Sequence, residues 1–275
     1  MKAVHTLFAL GLAGLFLAAA MPATAAVVYN LLDDNSSLSV DTGGGAGINT
    51  WTVDVITHLE TQWFWYRTGA MIDEASISTL ALGTTGATDT NFDGNLDTAY
   101  MKYTGAGFTL ELRTSLDGGA AGDGSSILGE QITIKNTGAA NLTFHFFQYT
   151  DFNLGGTPND DKIQIIGTLP DSVFQSDPKY NGDTVVVPQA ATFYEAGGAA
   201  ALLAVFSDGL PTTLANVTTA GPGSDVAWAL QWDFTLLVGK TFQIGPQKLI
   251  TPEPATMAML VLGGAGLFLA KRRRG

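Results

Sequence analysis

The stretch Phe108-Thr109-Leu110-Glu111-Leu112-Arg113 alternates strictly between apolar and polar residues. Successive side chains of a β-strand point to opposite faces, so this period of two predicts a strand that buries Phe108, Leu110 and Leu112 on one face. The stretch Gln131-Ile132-Thr133-Ile134-Lys135-Asn136 repeats the pattern. These two stretches predict a β-protein built of antiparallel strands, each with one buried face.

Other stretches of strand type follow along the chain, and clusters of Gly, Pro, Asn and Asp separate them. They occupy residues 51–55, 62–67, 143–149, 184–187, 202–206, 227–236 and 241–244. We expect residues 138–141 to form a hairpin loop that joins two of these strands. No helical pattern of comparable strength interrupts them. The sequence therefore predicts an all-β fold, a single large antiparallel β-sandwich that spans residues 26–251.

The first residues of the chain have the three parts of a secretory signal peptide. Lys2 supplies a positive charge, residues 7–20 form an apolar run, and Ala23-Thr24-Ala25 has the small-residue pattern of a cleavage site. We therefore interpret residues 1–25 as a signal peptide and predict that the body is exported.

The last residues also fall into three parts. Pro252-Glu253-Pro254 comes first, residues 255–270 contain no charge, and Lys271-Arg272-Arg273-Arg274 follows. The apolar run is close to the length of a transmembrane helix, and a basic cluster after a span stays in the cytoplasm. Residues 255–270 are thus predicted to anchor the protein in the inner membrane, with the body outside the cytoplasm.

This tail, residues 252–275, resembles the PEP-CTERM sorting signal, which combines a Pro-Glu-Pro motif, a short transmembrane helix and a terminal Arg cluster. The resemblance implies recognition by exosortase, a membrane transpeptidase of exopolysaccharide-rich Gram-negative bacteria. It also implies that the residues of the motif are substrate residues of the exosortase, and that the protein is either kept at the membrane or released to the cell surface or matrix. These motif residues are Pro252, Glu253, Pro254, Lys271, Arg272, Arg273 and Arg274.

Composition removes several classes of function. The chain of 275 residues has a net charge of −12 and contains no cysteine, which excludes disulfides, thiolate metal sites and a cysteine nucleophile. Four of its 13 basic residues lie in the terminal cluster, so the body is strongly acidic. Nucleic-acid binding requires clustered Lys and Arg, and the body has no such cluster. Cations are the more natural small partners, and acidity also keeps a glycine-rich surface soluble.

One loop has the spacing of a calcium site. Its oxygen donors follow the pattern D-x-N-x-D-G, in which Gly94 permits a tight turn. Tyr100 replaces the glutamate expected at the twelfth position, and an ordinary Asp/Gly turn between two strands explains the same residues. A weak calcium site therefore stands as one of two hypotheses, and no other cofactor is expected. The candidate ligands are Asp89, Asn91, Asp93, Asn95 and Asp97.

Two further patterns bear on function. Asp151, Asp160 and Asp161 surround a Gly-Gly turn and are candidates for paired glycosidase carboxylates, although solvated loop acids are the simpler explanation. Aromatic side chains in the strands either pack in the core or stack on sugar rings. These aromatic residues are Trp63, Trp65, Tyr66, Trp228 and Trp232.

The sequence thus favours an exported, non-enzymatic protein of the cell surface or the exopolysaccharide matrix. A carbohydrate-binding module with exopolysaccharide as its partner is the alternative, favoured by exposure of Trp63 or Trp65. A secreted hydrolase is the third hypothesis, and no catalytic motif supports it.

Overall fold

A computed structural model describes residues 25–43, 47–69, 71–167 and 171–253. These residues form two antiparallel sheets that pack face to face, so the prediction of an all-β sandwich is confirmed. Sheet A contains β1 (Val28–Asp33), β2 (Ser36–Asp41), β3 (Ile48–Val53), β4 (Ile56–Thr68), β5 (Ala75–Ser76), β10 (Leu142–Phe152), β14 (Phe193–Gly198) and β16 (Val226–Leu236). Sheet B contains β6 (Ala81–Thr88), β7 (Thr98–Gly105), β8 (Phe108–Gly118), β9 (Ser126–Asn136), β11 (Lys162–Ile166), β12 (Ser172–Ser176), β13 (Tyr180–Val187), β15 (Thr219–Ala220) and β17 (Thr241–Pro252).

The strand order places β4, β10 and β16 at the centre of sheet A and β17, β9 and β8 at the centre of sheet B. Sheet A runs β1-β2-β3-β4-β10-β16-β14, with β5 paired to β4. Sheet B runs β15-β11-β12-β13-β17-β9-β8-β7-β6. The last strand of the body, β17, is therefore an interior strand of sheet B, flanked by β13 and β9.

The main core lies between the two sheets and follows the alternation seen in the sequence. Phe108, Leu110 and Leu112 of β8 are all buried on one face, as predicted. The rings of Phe64 and Phe146 stack against each other from β4 and β10, with centroids 5.6 Å apart. Apolar burial of this kind is the main stabilising term of a sandwich of this size.

Two local predictions are corrected. Residues 202–206, predicted as a strand, belong mostly to helix α1 (Ala199–Ala204), because the run Ala-Ala-Ala-Leu-Leu-Ala has high helix propensity. Residues 138–141, predicted as a hairpin loop, instead carry the chain from β9 in sheet B to β10 in sheet A. A short loop that contains Gly138 and Asn141 allows either connection, and the pairing of β9 with β8 and β17 leaves no place for β10 beside it.

Sheet A also differs from the simple expectation of one buried face per strand. Along β10, the neighbouring residues Phe146, Phe147, Gln148 and Tyr149 are all buried. The outer face of sheet A is covered by residues 199–214, which we name the cover segment. Its side chains and those of the sheet form a second hydrophobic cluster outside the main core.

The described residues contain no helix long and apolar enough to cross a membrane. The predicted transmembrane helix at residues 255–270 lies outside the described residues. So do residues 1–24 of the signal peptide predicted at residues 1–25. The motif residues Pro254, Lys271, Arg272, Arg273 and Arg274 also lie outside them.

Candidate functional site

The cover segment leaves a small cavity on the outer face of sheet A. This cavity has a volume of about 240 Å³. Strands β4 and β10 form its floor, and the cover segment forms its wall. Its lining residues are Thr61, Trp63, Trp65, Tyr149, Leu203 and Ser207. Apolar rings with a few hydroxyl groups at the margin are the usual composition of a small-molecule site.

The aromatic rings of the cavity are held by neighbours on both sides. Trp65 is half-buried and stacks on Phe206 of the cover segment, with ring centroids 4.9 Å apart. Trp63 is only 3% exposed, and its indole N–H donates to Ser76 Oγ over 2.9 Å. Gly47 lies against the Trp63 ring, since a Cβ at Gly47 would approach Trp63 to 2.6 Å. The rings are therefore fixed before any ligand arrives.

Tyr149 connects the cavity to a buried carboxyl group. Its hydroxyl lies 3.1 Å from both Asp151 Oδ2 and the carbonyl oxygen of Ala199. Asp151 is buried, and its Oδ1 has no hydrogen-bond partner among the described residues. Burial, followed by the negative charge of Asp225, raises the pKa of Asp151 to about 7. Asp151 therefore holds its proton up to nearly neutral pH.

A buried ion pair holds one end of the cover segment on the same face. Arg67 Nε lies 2.8 Å from Glu74 Oε1, and the side chains are 13% and 0% exposed. The backbone N–H of Thr212 donates to the Glu74 carboxylate over 3.0 Å, and the Thr212 carbonyl accepts from Arg67 over 3.3 Å. The charges of Arg67 and Glu74 are thus satisfied by each other and by the cover segment.

A second polar group holds the same end of the cover segment, at Leu214. Asp233 Oδ1 lies 2.7 Å from His145 Nδ1 and accepts from Gln231 Nε2 over 2.8 Å. Gln231 Oε1 accepts from the backbone N–H of Leu214 over 3.0 Å. His145 lies on the face opposite Phe144 and Phe146, as the alternation predicts. None of these polar groups lines the cavity.

The predicted sugar-stacking aromatics divide into two groups. Tyr66, Trp228 and Trp232 are buried in the main core. Trp63 and Trp65 both line the outer cavity, although Trp63 is nearly closed off from solvent. Sequence reasoning did not find Tyr149, Leu203 and Ser207 as lining residues. Leu203 and Ser207 belong to or follow α1, whose position over the sheet depends on contacts distant in sequence.

The predicted calcium loop joins β6 to β7. Its carboxylates already accept hydrogen bonds from their own loop: Asp89 takes the N–H groups of Phe92 (2.6 Å) and Gly94 (2.9 Å). Asp93 takes the N–H of Asn95 over 2.8 Å, and Asp97 takes the N–H of Thr90 over 2.8 Å. Asn91 donates to Asp33 Oδ1 over 2.6 Å. Calcium binding at this loop stays a prediction.

The start of the sorting motif is attached directly to the body. Pro252 is the last residue of β17 and pairs with Tyr180 of β13. The backbone N–H of Glu253 donates to the carbonyl of Lys179 over 2.6 Å. Both Pro252 and Glu253 are exposed to solvent. No linker separates these two residues from the sandwich.

Comparison with known families identifies the tail. Residues 251–274 match the family model of the PEP-CTERM protein-sorting motif. The chain therefore carries a PEP-CTERM tail, as its sequence indicated, and is an exported protein whose processing partner is exosortase. No curated protein sequence matches the chain.

Comparison with solved structures identifies the fold of the body. A putative aldose 1-epimerase from Escherichia coli K12 has a TM-score of 0.51 and 12% identity, over 83% of this chain and 100% of that one. A galactose mutarotase-like protein from Lactobacillus casei has a TM-score of 0.52 and 9% identity, over 82% and 100%. A bacterial glucoamylase complexed with acarbose has a TM-score of 0.54 and 8% identity, over 90% of this chain and 36% of that one. At such identities the likeness concerns the fold alone.

Proposed function

We propose that the protein is an exported component of the cell envelope or extracellular matrix whose sandwich body binds carbohydrate without turning it over. The observation that carries this proposal is the cavity on the outer face of sheet A, with its two tryptophans and its tyrosine. The sorting tail supports the location, and the cavity supports the kind of ligand.

The cavity suits a sugar on physical grounds. A sugar ring has apolar C–H faces and a margin of hydroxyl groups, so it needs both flat aromatic surface and hydrogen-bond partners. Trp65 offers the aromatic surface, with Trp63 and the 1% exposed Tyr149 packed beside it, and Thr61 and Ser207 place hydroxyl groups at the margin. The volume of about 240 Å³ is suited to one sugar unit of a longer chain.

Binding without catalysis is favoured by the chemistry of the lining. The lining contains no carboxylate and no imidazole, the groups that serve as general acid or base. The nearby charged groups Arg67, Glu74, His145 and Asp233 are engaged in holding the cover segment. Their positions are explained by the fold, with no need for a catalytic role.

The structural neighbours add support by analogy. The names of the aldose 1-epimerase, the galactose mutarotase-like protein and the glucoamylase all refer to sugars. A shared fold at such low identity raises the expectation of a sugar ligand but transfers no residue role.

The experiment compares the purified full chain with two aromatic variants in affinity electrophoresis through gels containing envelope polysaccharide of the producing cells. Trp65→Ala removes a ring of the cavity, and we expect it to reduce retardation. The Kd obtained from the retardation should rise at least about tenfold, or about 1.4 kcal/mol. Tyr100→Ala, which removes an exposed ring on the outer side of sheet B, is the matched control and should bind as the wild type does. Equal binding by the wild type and both variants would refute the cavity as the site.

A secreted hydrolase remains the second candidate, because of Asp151. A carboxyl group with a pKa of about 7 is suited to donate a proton near neutral pH, and Asp225 and Glu60 contribute negative charge beside it. The discriminating measurement is release of reducing ends from the same polysaccharide. We expect none; release that disappears in Asp151→Asn would establish the hydrolase instead.

A further inference from the structure

Three acidic side chains meet at one end of the sandwich, away from the aromatic cavity. The loop after β10, which ends in Asp160 and Asp161, packs against the turn between β12 and β13, which begins at Asp177. One carboxylate oxygen from each of these three residues lies within 4.8 Å of the others. Among the described residues, this is the group of His, Cys, Asp or Glu side chains whose spacing fits a single metal ion.

Two of these three acidic residues are buried, and none of the three forms an ion pair among the described residues. Asp161 is 0% exposed and Asp177 is 7% exposed. The four ion pairs of the described part of the chain all involve other acids. Like charges brought together in a buried site repel each other, and a buried carboxylate normally requires a counter-charge. The cluster therefore carries unbalanced negative charge when its carboxyl groups are ionised.

Buried oxygens without donors give a second, independent indication. Asp161 Oδ2 accepts from Gln175 Nε2 over 2.7 Å and from the backbone N–H of Leu154 over 3.2 Å, but Asp161 Oδ1 has no partner among the described residues. Gln175 Oε1, on the amide that contacts Asp161, is also buried and has no partner among the described residues. Buried polar atoms are nearly always satisfied, so two unpartnered oxygens on side chains in contact point to a missing ligand that accepts lone pairs.

We propose that Asp160, Asp161 and Asp177 form a binding site for a divalent cation of the calcium type. Calcium takes six to eight oxygen ligands in a flexible geometry, and carboxylates and side-chain amide oxygens are among its usual ligands. The three carboxylates supply the negative charge, and Gln175 supplies a neutral oxygen beside Asp161.

The site also bears on the sorting motif. Asp177 Oδ1 accepts from the backbone N–H of Lys179 over 2.6 Å and from that of Tyr180. The carbonyl of Lys179 in turn accepts from Glu253, and Tyr180 pairs with Pro252. A cation on Asp177 therefore orders the turn that holds the first residues of the sorting motif against the body.

The test is calorimetric titration of chelator-treated full chain with CaCl2, together with thermal unfolding. We expect a Kd of about 10⁻⁴–10⁻³ M and, at ten times Kd, a rise in Tm of about 3–6 °C. Asp161→Asn keeps an oxygen for Leu154 and Gln175 but removes a charge, and it should weaken binding at least tenfold. Asp160→Asn, at the more exposed edge of the cluster, provides the same test if Asp161→Asn fails to fold.

A control variant separates this site from other carboxylates. Asp171→Asn removes an exposed carboxylate elsewhere. We expect Asp171→Asn to retain the calcium-dependent Tm shift lost in Asp161→Asn. Hydrogen exchange of the Glu253 amide should slow in the presence of calcium. A shift that persists in both Asp160→Asn and Asp161→Asn, or no shift in the wild type, would overturn the proposal.

Discussion

At the scale of single residues, the centre of sheet B contains a charge where an apolar side chain would be expected. Lys248 of β17 is 1% exposed, and its ammonium lies 2.5 Å from Glu130 Oε2 of β9. Glu130 also accepts from Gln62 and Gln148 of sheet A. The hydrogen-bonded side chains of Lys248, Glu130, Gln62 and Gln148 therefore cross the core and link the two sheets.

Removal of the lysine leaves Glu130 buried and uncompensated. We expect Lys248→Met to lower the free energy of unfolding by about 3–5 kcal/mol, and Lys248→Met combined with Glu130→Gln to recover most of the loss. Urea denaturation of the two variants measures this. Additive losses in the double variant would show that the ion pair does not couple the two positions.

Asp151 gives a pH-dependent prediction. Its folded-state pKa is about 7 against an ordinary value of 3.8, so between about pH 4 and pH 7 the folded protein holds a proton that the unfolded chain releases. This contribution lowers stability as the pH rises through that window and is constant above it. Asparagine carries no such proton, and its oxygen can still accept from Tyr149.

The Tm of Asp151→Asn should therefore exceed that of the wild type at pH 8, and the difference should shrink towards pH 4. Thermal unfolding at several pH values tests this, with Asp171→Asn as the exposed control. A Tm difference that is the same at pH 5 and pH 8 would contradict the raised pKa of Asp151.

At the scale of elements, the turn between β3 and β4 contains a residue poorly suited to its backbone. Asp54 and Val55 have φ angles of 45° and 66°, and the flanking Val53 and Ile56 pair directly. Positive φ at both positions of a two-residue turn defines type I′, which favours Asp-Gly. A β-branched residue at positive φ is strained, and Val55 is 95% exposed, so its side chain gains little from packing.

We expect Val55→Gly to raise the free energy of unfolding by about 0.5–1 kcal/mol, the relief of left-handed strain less the entropy that glycine gives the unfolded chain. Val55→Ala keeps a Cβ and should give no comparable gain. Urea denaturation measures both variants. A loss of stability in Val55→Gly would mean that the turn needs the valine.

The elements also show where sequence reasoning succeeds and where it stops. Alternation located β8 and β9, because a period of two follows directly from strand geometry. It failed at Leu202 in α1, where alanine favours a helix and no short-range pattern marks the change. The strand predicted for residues 51–55 also extended past Val53 into the type I′ turn, since Asp54 and Val55 continue the alternation of β3 and no glycine follows Asp54.

The candidate site was predictable only in part. Trp63 and Trp65 stood out as bulky strand residues, but their cavity exists because the cover segment, about 140 residues later, packs over them. Asp177 could not be grouped with Asp160 and Asp161, since the two strands β11 and β12 separate them. Contacts between distant segments follow from the order of strands in the sheets, and one sequence does not reveal that order.

At the scale of the whole molecule, the sorting motif continues an interior strand of sheet B. Processing by exosortase predicts that mature protein from cells with the enzyme lacks the peptide ending in Lys271-Arg272-Arg273-Arg274. Mass spectrometry of the purified envelope protein tests this, with cells lacking exosortase as the control. Intact tail in both samples would identify residues 255–270 as a permanent membrane anchor instead.

Tryptophan signals can report directly on carbohydrate binding at the cavity on the outer face of sheet A. The chain has five tryptophans, and each gives its own indole N–H signal in NMR. On titration with oligosaccharides cut from the envelope polysaccharide, we predict that the signals of Trp63 and Trp65 shift while those of the core residues Trp51, Trp228 and Trp232 do not. No shift in Trp63 and Trp65, or an equal shift in all five, would contradict the account.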